Sequence, residues 1–139
     1  MMTQSEKLSW LRSQLGEGVP DIYRIPGFSP NGIGPDDWRT PITQGILNHP
    51  ICLPDITVCG DYHDFRYWVG GDEDDRQAAD LLLRQLLIAR MPAPGPWSHN
   101  PVRWLPWLYA LLQRRRMTIL ADIYYAAVRL SGREHFNFR

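Results

Sequence analysis

The chain reads as a mainly α-helical domain interrupted by one long loop. Three observations carry that expectation. Apolar residues recur at spacings of three and four over several stretches, the period of a helix face. From Asp21 to about Asp55 no period persists, while proline and glycine recur from Pro26, Gly27 and Pro30 through Gly32, Gly34 and Pro35 to Pro54. Between Pro106 and Gly132 neither residue appears, which leaves room for a long helical region. With 139 residues and 44% hydrophobic content, the chain suits one domain spanning 1–139 with a core that needs no external staples.

Taken in order, Ser5 is a candidate cap for a first helix through about Leu15, because Leu8, Leu11 and Leu15 share a face with Trp10 beside them. Gly16, Gly18 and Pro20 stop it. The loop that follows carries isolated apolar residues (Ile22, Tyr23, Ile25, Phe28, Ile33, Trp38), which predicts a segment pinned to the core. A second helix is expected from about Thr57 to Val69, ended by Gly70-Gly71 in the left-handed cap conformation. Asp72 caps a third, with Glu73, Asp74 and Asp75 complementing its positive end and Ala79, Leu82, Leu83, Leu86 and Leu87 forming its apolar face up to Met91-Pro92. After a proline-rich connection, Pro106 suits the first turn of a last helical region, either continuous or broken near Thr118. There Ile119, Ile123, Tyr124, Ala127 and Val128 are placed to pack on the second helix, and a tail with Phe136 and Phe138 follows Gly132.

Fifteen basic residues balance fifteen acidic ones, so no global field favours nucleic acid or an anionic membrane, and no nucleic-acid partner is expected. The first residues lack the apolar run and small-residue cleavage site of a secretory signal, and no window approaches a spanning helix, which predicts a soluble, cytoplasmic product. Two cysteines, Cys52 and Cys59, can pair or stand free.

The densest chemistry lies in Cys59-Gly60-Asp61-Tyr62-His63-Asp64-Phe65-Arg66-Tyr67-Trp68. On a helix His63 and Tyr67 stack one turn apart, while Asp64 turns roughly 100° away, so that base and carboxylate can serve different partners. The string C-x-x-x-H-D-x-x-Y resembles the active-site helix of the phospholipase A2 superfamily, in which a histidine activates water and the following aspartate holds calcium. Asn31-Gly32-Ile33-Gly34-Pro35 looks like that superfamily's glycine-rich calcium loop, although Ile33 stands where members often carry cysteine. Ala79-Asp80-Leu81 is similar to the Ala-Asp segment that supplies a second aspartate in compact bacterial and parvoviral members. The likeness covers roughly residues 25 to 90.

The resemblance implies a phospholipase A2-like antiparallel helix pair beside a calcium-loop segment, and calcium-dependent hydrolysis of a glycerophospholipid acyl ester. His63 would be the general base, Asp80 would fix its tautomer, and Tyr67 would support Asp80. Calcium would be held by Asp64 with backbone carbonyls around Phe28, Asn31, Gly32 and Gly34. Trp97, Trp104 and Trp107, with Arg103 and Arg114 to Arg116 nearby, would form an interfacial patch touching phospholipid transiently. The viral relatives imply a virion-associated product or one released on lysis.

Each assignment has a plainer alternative. His63 can be a core histidine, Asp64 a solvated helix residue, and the glycine turn a turn without a ligand. Asp80 can make surface pairs with Arg76 and Arg84 at i−4 and i+4, and Asp122 is then the reserve orienting carboxylate. The aromatic residues of the last helix can be core. His49, Cys52, Cys59 and His63 offer a zinc set at H-x2-C-x6-C-x3-H. The same scaffold can also serve, with weak or no catalysis, as a phage or viral structural or host-protein-binding module.

Overall fold

The computed structural model describes residues 1–30, 53–91, 95–97 and 99–139. Of the described residues 71% are helical, in four α-helices and two short 3-10 turns, with no strand among them. The mainly α expectation therefore holds. The helices are α1 (Gln4–Leu15), α2 (Thr57–Val69), α3 (Glu73–Ala89) and α4 (Pro101–Ser131), with 3-10 turns at Ile22–Arg24 and Gly132–His135.

α1 is capped two residues earlier than expected. Thr3, not Ser5, is the N-cap, because Glu6 three residues on completes a capping box: the Thr3 side chain accepts from the Glu6 N–H, and Glu6 accepts from the Thr3 N–H at 2.7 Å. α2 has the expected bounds and ends at Gly70, whose φ of 74° favours glycine. α3 is opened by an Asp72–Asp75 capping box, and the first-turn acids lie where the helix dipole favours them.

α4 differs from expectation at its start. Asn100 caps it by accepting from the Val102 N–H at 3.0 Å, Pro101 takes the first position, and Pro106 lies inside the helix. It is one continuous helix of 31 residues, about 46 Å long at 1.5 Å per residue.

The three longer helices pack antiparallel in sequence order. Position 63 of α2 meets position 80 of α3, and Arg90 Nε just beyond α3 bonds the Asp55 carbonyl just before α2. The bonds Glu73–Arg129 and Arg84–Asp122 likewise run antiparallel between α3 and α4. α3 is thus the central helix. Leu11 of α1, Ile22, Val58, Cys59 and Tyr62 of α2, Leu83, Leu86 and Leu87 of α3, and Met117, Ala121 and Tyr124 of α4 form one core. Ile119 and Ile123, expected to pack on α2, are instead 53% and 58% exposed, because α4 presents its Met117–Ala121–Tyr124 face to the core.

The C-terminal stretch is not a loose tail. Gly71 N–H donates to the Asn137 carbonyl and Arg139 N–H to the Gly71 carbonyl, both at 3.0 Å, while Asn137 N–H reaches the Tyr67 carbonyl at 3.2 Å. These bonds stitch residues 137–139 to the α2–α3 turn and seat Phe136 against Tyr67 with ring centroids 5.1 Å apart. Gly132 lies so close to Tyr67 that an added Cβ would stand 3.1 Å from its Cε2 and closer still to its hydroxyl.

Candidate active site

Asp80 is the centre of the site and is fully buried. The turn at Gly70-Gly71 folds α3 back along α2, and His63 and Asp80 lie at nearly equal distances from that turn. His63 Nε2 is 2.9 Å from Asp80 Oδ1, and the Tyr67 hydroxyl donates to the same oxygen at 2.6 Å. His63 and Tyr67, one helical turn apart, hold their rings 4.2 Å apart.

The other oxygen belongs to arginine. Arg129 Nη1 donates to Asp80 Oδ2 at 3.0 Å, and Arg76 Nη1 lies 3.7 Å from it. That Arg76 nitrogen is buried without a hydrogen-bond partner among the described residues, so it acts on Asp80 by charge alone. Glu73 binds both guanidiniums, Arg76 Nη2 at 2.7 Å and Arg129 Nη2 at 2.8 Å. Two cations and two carboxylates therefore balance, which answers the desolvation cost of the two that are buried, Asp80 and Arg76.

Protonation follows from this arrangement. Burial alone would raise the Asp80 pKa, but the bonds from His63, Tyr67 and Arg129 outweigh it and hold the group below the usual carboxylate range. The hydrogen bonds from Arg76 and then Arg129 pull Glu73 down to about 2. Burial, reinforced by Asp80, pushes the Tyr67 hydroxyl well up. An ionised Asp80 only accepts, so Nε2 of a neutral His63 must carry the proton, and Nδ1 keeps the lone pair.

The surface alternative for Asp80 is overturned. Arg84 does not pair with it; its Nε binds Asp122 Oδ1 at 2.6 Å. Asp122 is mostly exposed and engaged there, so it is not the orienting carboxylate. His63 is bonded to a carboxylate, unlike an ordinary core histidine satisfied by a carbonyl.

Asp64 is half-buried on α2 and shares a face with Trp68 one turn on. Phe28 packs against Phe65 at 5.9 Å and Trp68 at 5.6 Å, which brings the chain to that face of α2 just before residue 31. Asn31, Gly32 and Gly34, the expected carbonyl donors, lie outside the described residues, as do His49 and Cys52 of the zinc set. Cys59 is a free, fully buried thiol whose pKa burial pushes well up, and no group of three or more His, Cys, Asp or Glu that could hold a metal occurs among the described residues.

Trp97, Trp104 and Trp107 do converge. Trp97 stands edge-on to Trp107 at 4.9 Å and to Trp104 at 6.4 Å, with Trp107 Nε1 bonded to the Gly95 carbonyl at 2.8 Å. Trp97 and Trp104 are 51% and 43% exposed, so this cluster is not core. Its member nearest the site along α4, Trp107, lies 22 residues before Arg129, about 33 Å of helix away from the part that meets Asp80. No described helix is long and apolar enough to cross a membrane.

Several site residues carry no advance signal. Arg129, Gly132 and Phe136 come from 49 or more residues beyond Asp80 or Tyr67. Asp61 is a further buried acid, bonded by Lys7 Nζ at 2.8 Å and the Tyr23 hydroxyl at 2.9 Å. It belongs to the junction with α1. No family model, curated protein or solved structure matches the chain.

Proposed function

We propose that the protein is a phospholipase A2-like ester hydrolase. The observation that carries this reading is the chain of contacts from His63 Nε2 to a fully buried, charge-braced Asp80. A structural histidine does not require two arginines and a tyrosine to keep its partner ionised. The expected position of Asp64 beside the dyad and the approach of Phe28 to the same helix support the finer assignment.

In the proposed reaction Nδ1 takes a proton from water as the oxygen attacks the acyl carbonyl. Asp80 stabilises the imidazolium that forms, and His63 returns the proton to the departing glycerol oxygen. No acyl-enzyme is needed. The donor chemistry of Asp64 suits a hard divalent cation: it would hold calcium together with carbonyls around Phe28, Asn31, Gly32 and Gly34. Bound there, calcium would polarise the ester carbonyl. Trp97, Trp104 and Trp107 would rest transiently on a phospholipid surface.

The test is fatty-acid release from mixed phospholipid vesicles with millimolar calcium or chelator. The expected result is release that disappears on chelation and falls by about 100-fold or more in His63→Asn and Asp64→Asn variants that keep their helix content. A folded wild type that binds no calcium and releases no fatty acid overturns the reading in favour of a non-catalytic binding module.

A further inference from the structure

α4 carries a second apolar face. Its core face runs through Gln113, Met117, Ala121 and Tyr124. About a third of a turn around, Val102, Tyr109, Arg116, Ile123 and Leu130 recur every seven residues. Leu105, Leu112, Ile119 and Ala126 fall three residues after the first four of these. Together they make an a/d repeat over four heptads, the pattern of a coiled-coil seam rather than of a helix lying on its own core.

Every one of these residues is exposed, and the seven large apolar ones range from 52% at Leu112 to 87% at Leu130. A seam that keeps a 3.5-residue spacing along most of a helix demands a long helical partner.

We propose that the partner is a second copy of this chain, with the two α4 helices antiparallel about a two-fold axis between residues 117 and 118. In antiparallel pairing a positions meet d positions and g positions face each other. This register sets Ile123 against Leu112 of the second copy, and Leu130 against Leu105. It also sets Arg115 opposite Asp122 of the second copy, twice per dimer by symmetry.

Sliding one heptad either way brings Arg115 against Arg115, or Asp122 against Asp122. A parallel pair would stack Arg116 on Arg116 and leave Arg115 and Asp122 opposite apolar e positions. The charges thus select one register, the one that also overlaps the helices along nearly their whole length. Asp122 already binds Arg84 at 2.6 Å, and a carboxylate has acceptor capacity for both arginines. The a, d, e and g positions from 101 to 130, leaving out the buried Gln113, supply 17 residues per copy, close to the roughly 20 to 30 per side of a standard interface.

Sedimentation equilibrium of the full chain tests the proposal, which does not depend on the hydrolase reading. A particle of twice 16.1 kDa is expected, with Ile119→Glu and Ile123→Glu each raising its dissociation constant by about 100-fold at unchanged helix content. Orientation is read by mixing Leu112→Cys and Ile123→Cys chains and mapping disulfides by mass spectrometry. A mixed 112–123 bridge is expected. A wild type that remains monomeric at about 100 µM overturns the proposal, as does a monomer whose Ile119 face binds vesicles. A 112–112 bridge in Leu112→Cys alone overturns the antiparallel register.

Discussion

Asp80 shows how a carboxylate survives complete burial: four groups from three elements converge on its two oxygens, and Glu73 neutralises the excess positive charge. Tyr67 holds its place partly because Gly132 leaves room for its hydroxyl. Gly132 has an ordinary helical φ of −75°, so an alanine there is strained by contact alone. Gly132→Ala is expected to cost about 1 to 3 kcal/mol, read as a lower urea midpoint. Trimming the hydroxyl in Tyr67→Phe should recover part of that loss; no recovery would place the strain elsewhere. His63, Tyr67 and Asp80 were legible together because one pair shares a helix face and the other flanks a glycine turn. Arg129 was not, since a contact across 49 residues leaves no local pattern.

Periodicity and caps mark the helices themselves, and the structure departs from expectation where two signals compete. Pro101 and Pro106 both suit a helix start, and the Asn100 side chain decides between them by capping Val102. Ile119 and Ile123 lie on one of two apolar stripes of α4, and periodicity alone cannot say which stripe meets the core. α1 is held to the body by a contact that no pattern announced, Lys7 with the buried Asp61. Lys7→Met should cost about 2 kcal/mol, because it leaves the buried Asp61 carboxylate with the Tyr23 hydroxyl, at 2.9 Å, and no cation in contact among the described residues. Urea denaturation of Lys7→Met and Lys7→Met/Asp61→Asn checks this. The double variant should be the more stable of the two if an uncompensated charge causes the loss.

At the scale of the whole molecule, the fold holds carboxylates at pKa values below their unfolded ones. For such groups the unfolded chain binds more protons in the intervening window, so stability is present above the unfolded pKa and lost as pH falls through the folded one. With Glu73 moved from 4.5 to about 2 and Asp80 also lowered, the loss sets in below about pH 4.5. The urea midpoint should fall between about pH 6 and pH 3, and fall less in Glu73→Gln, whose neutral amide has no such proton to bind. An equal fall in both would assign the acid sensitivity to other groups.

Cys59 lies one turn before His63 on the same face-to-core helix and is sealed from solvent. Reagents that attack sulfur can reach it only when that helix lifts from the core. The sulfur is therefore an internal clock for the segment carrying the imidazole: its rate of alkylation measures how often the machinery comes apart, without any label being added.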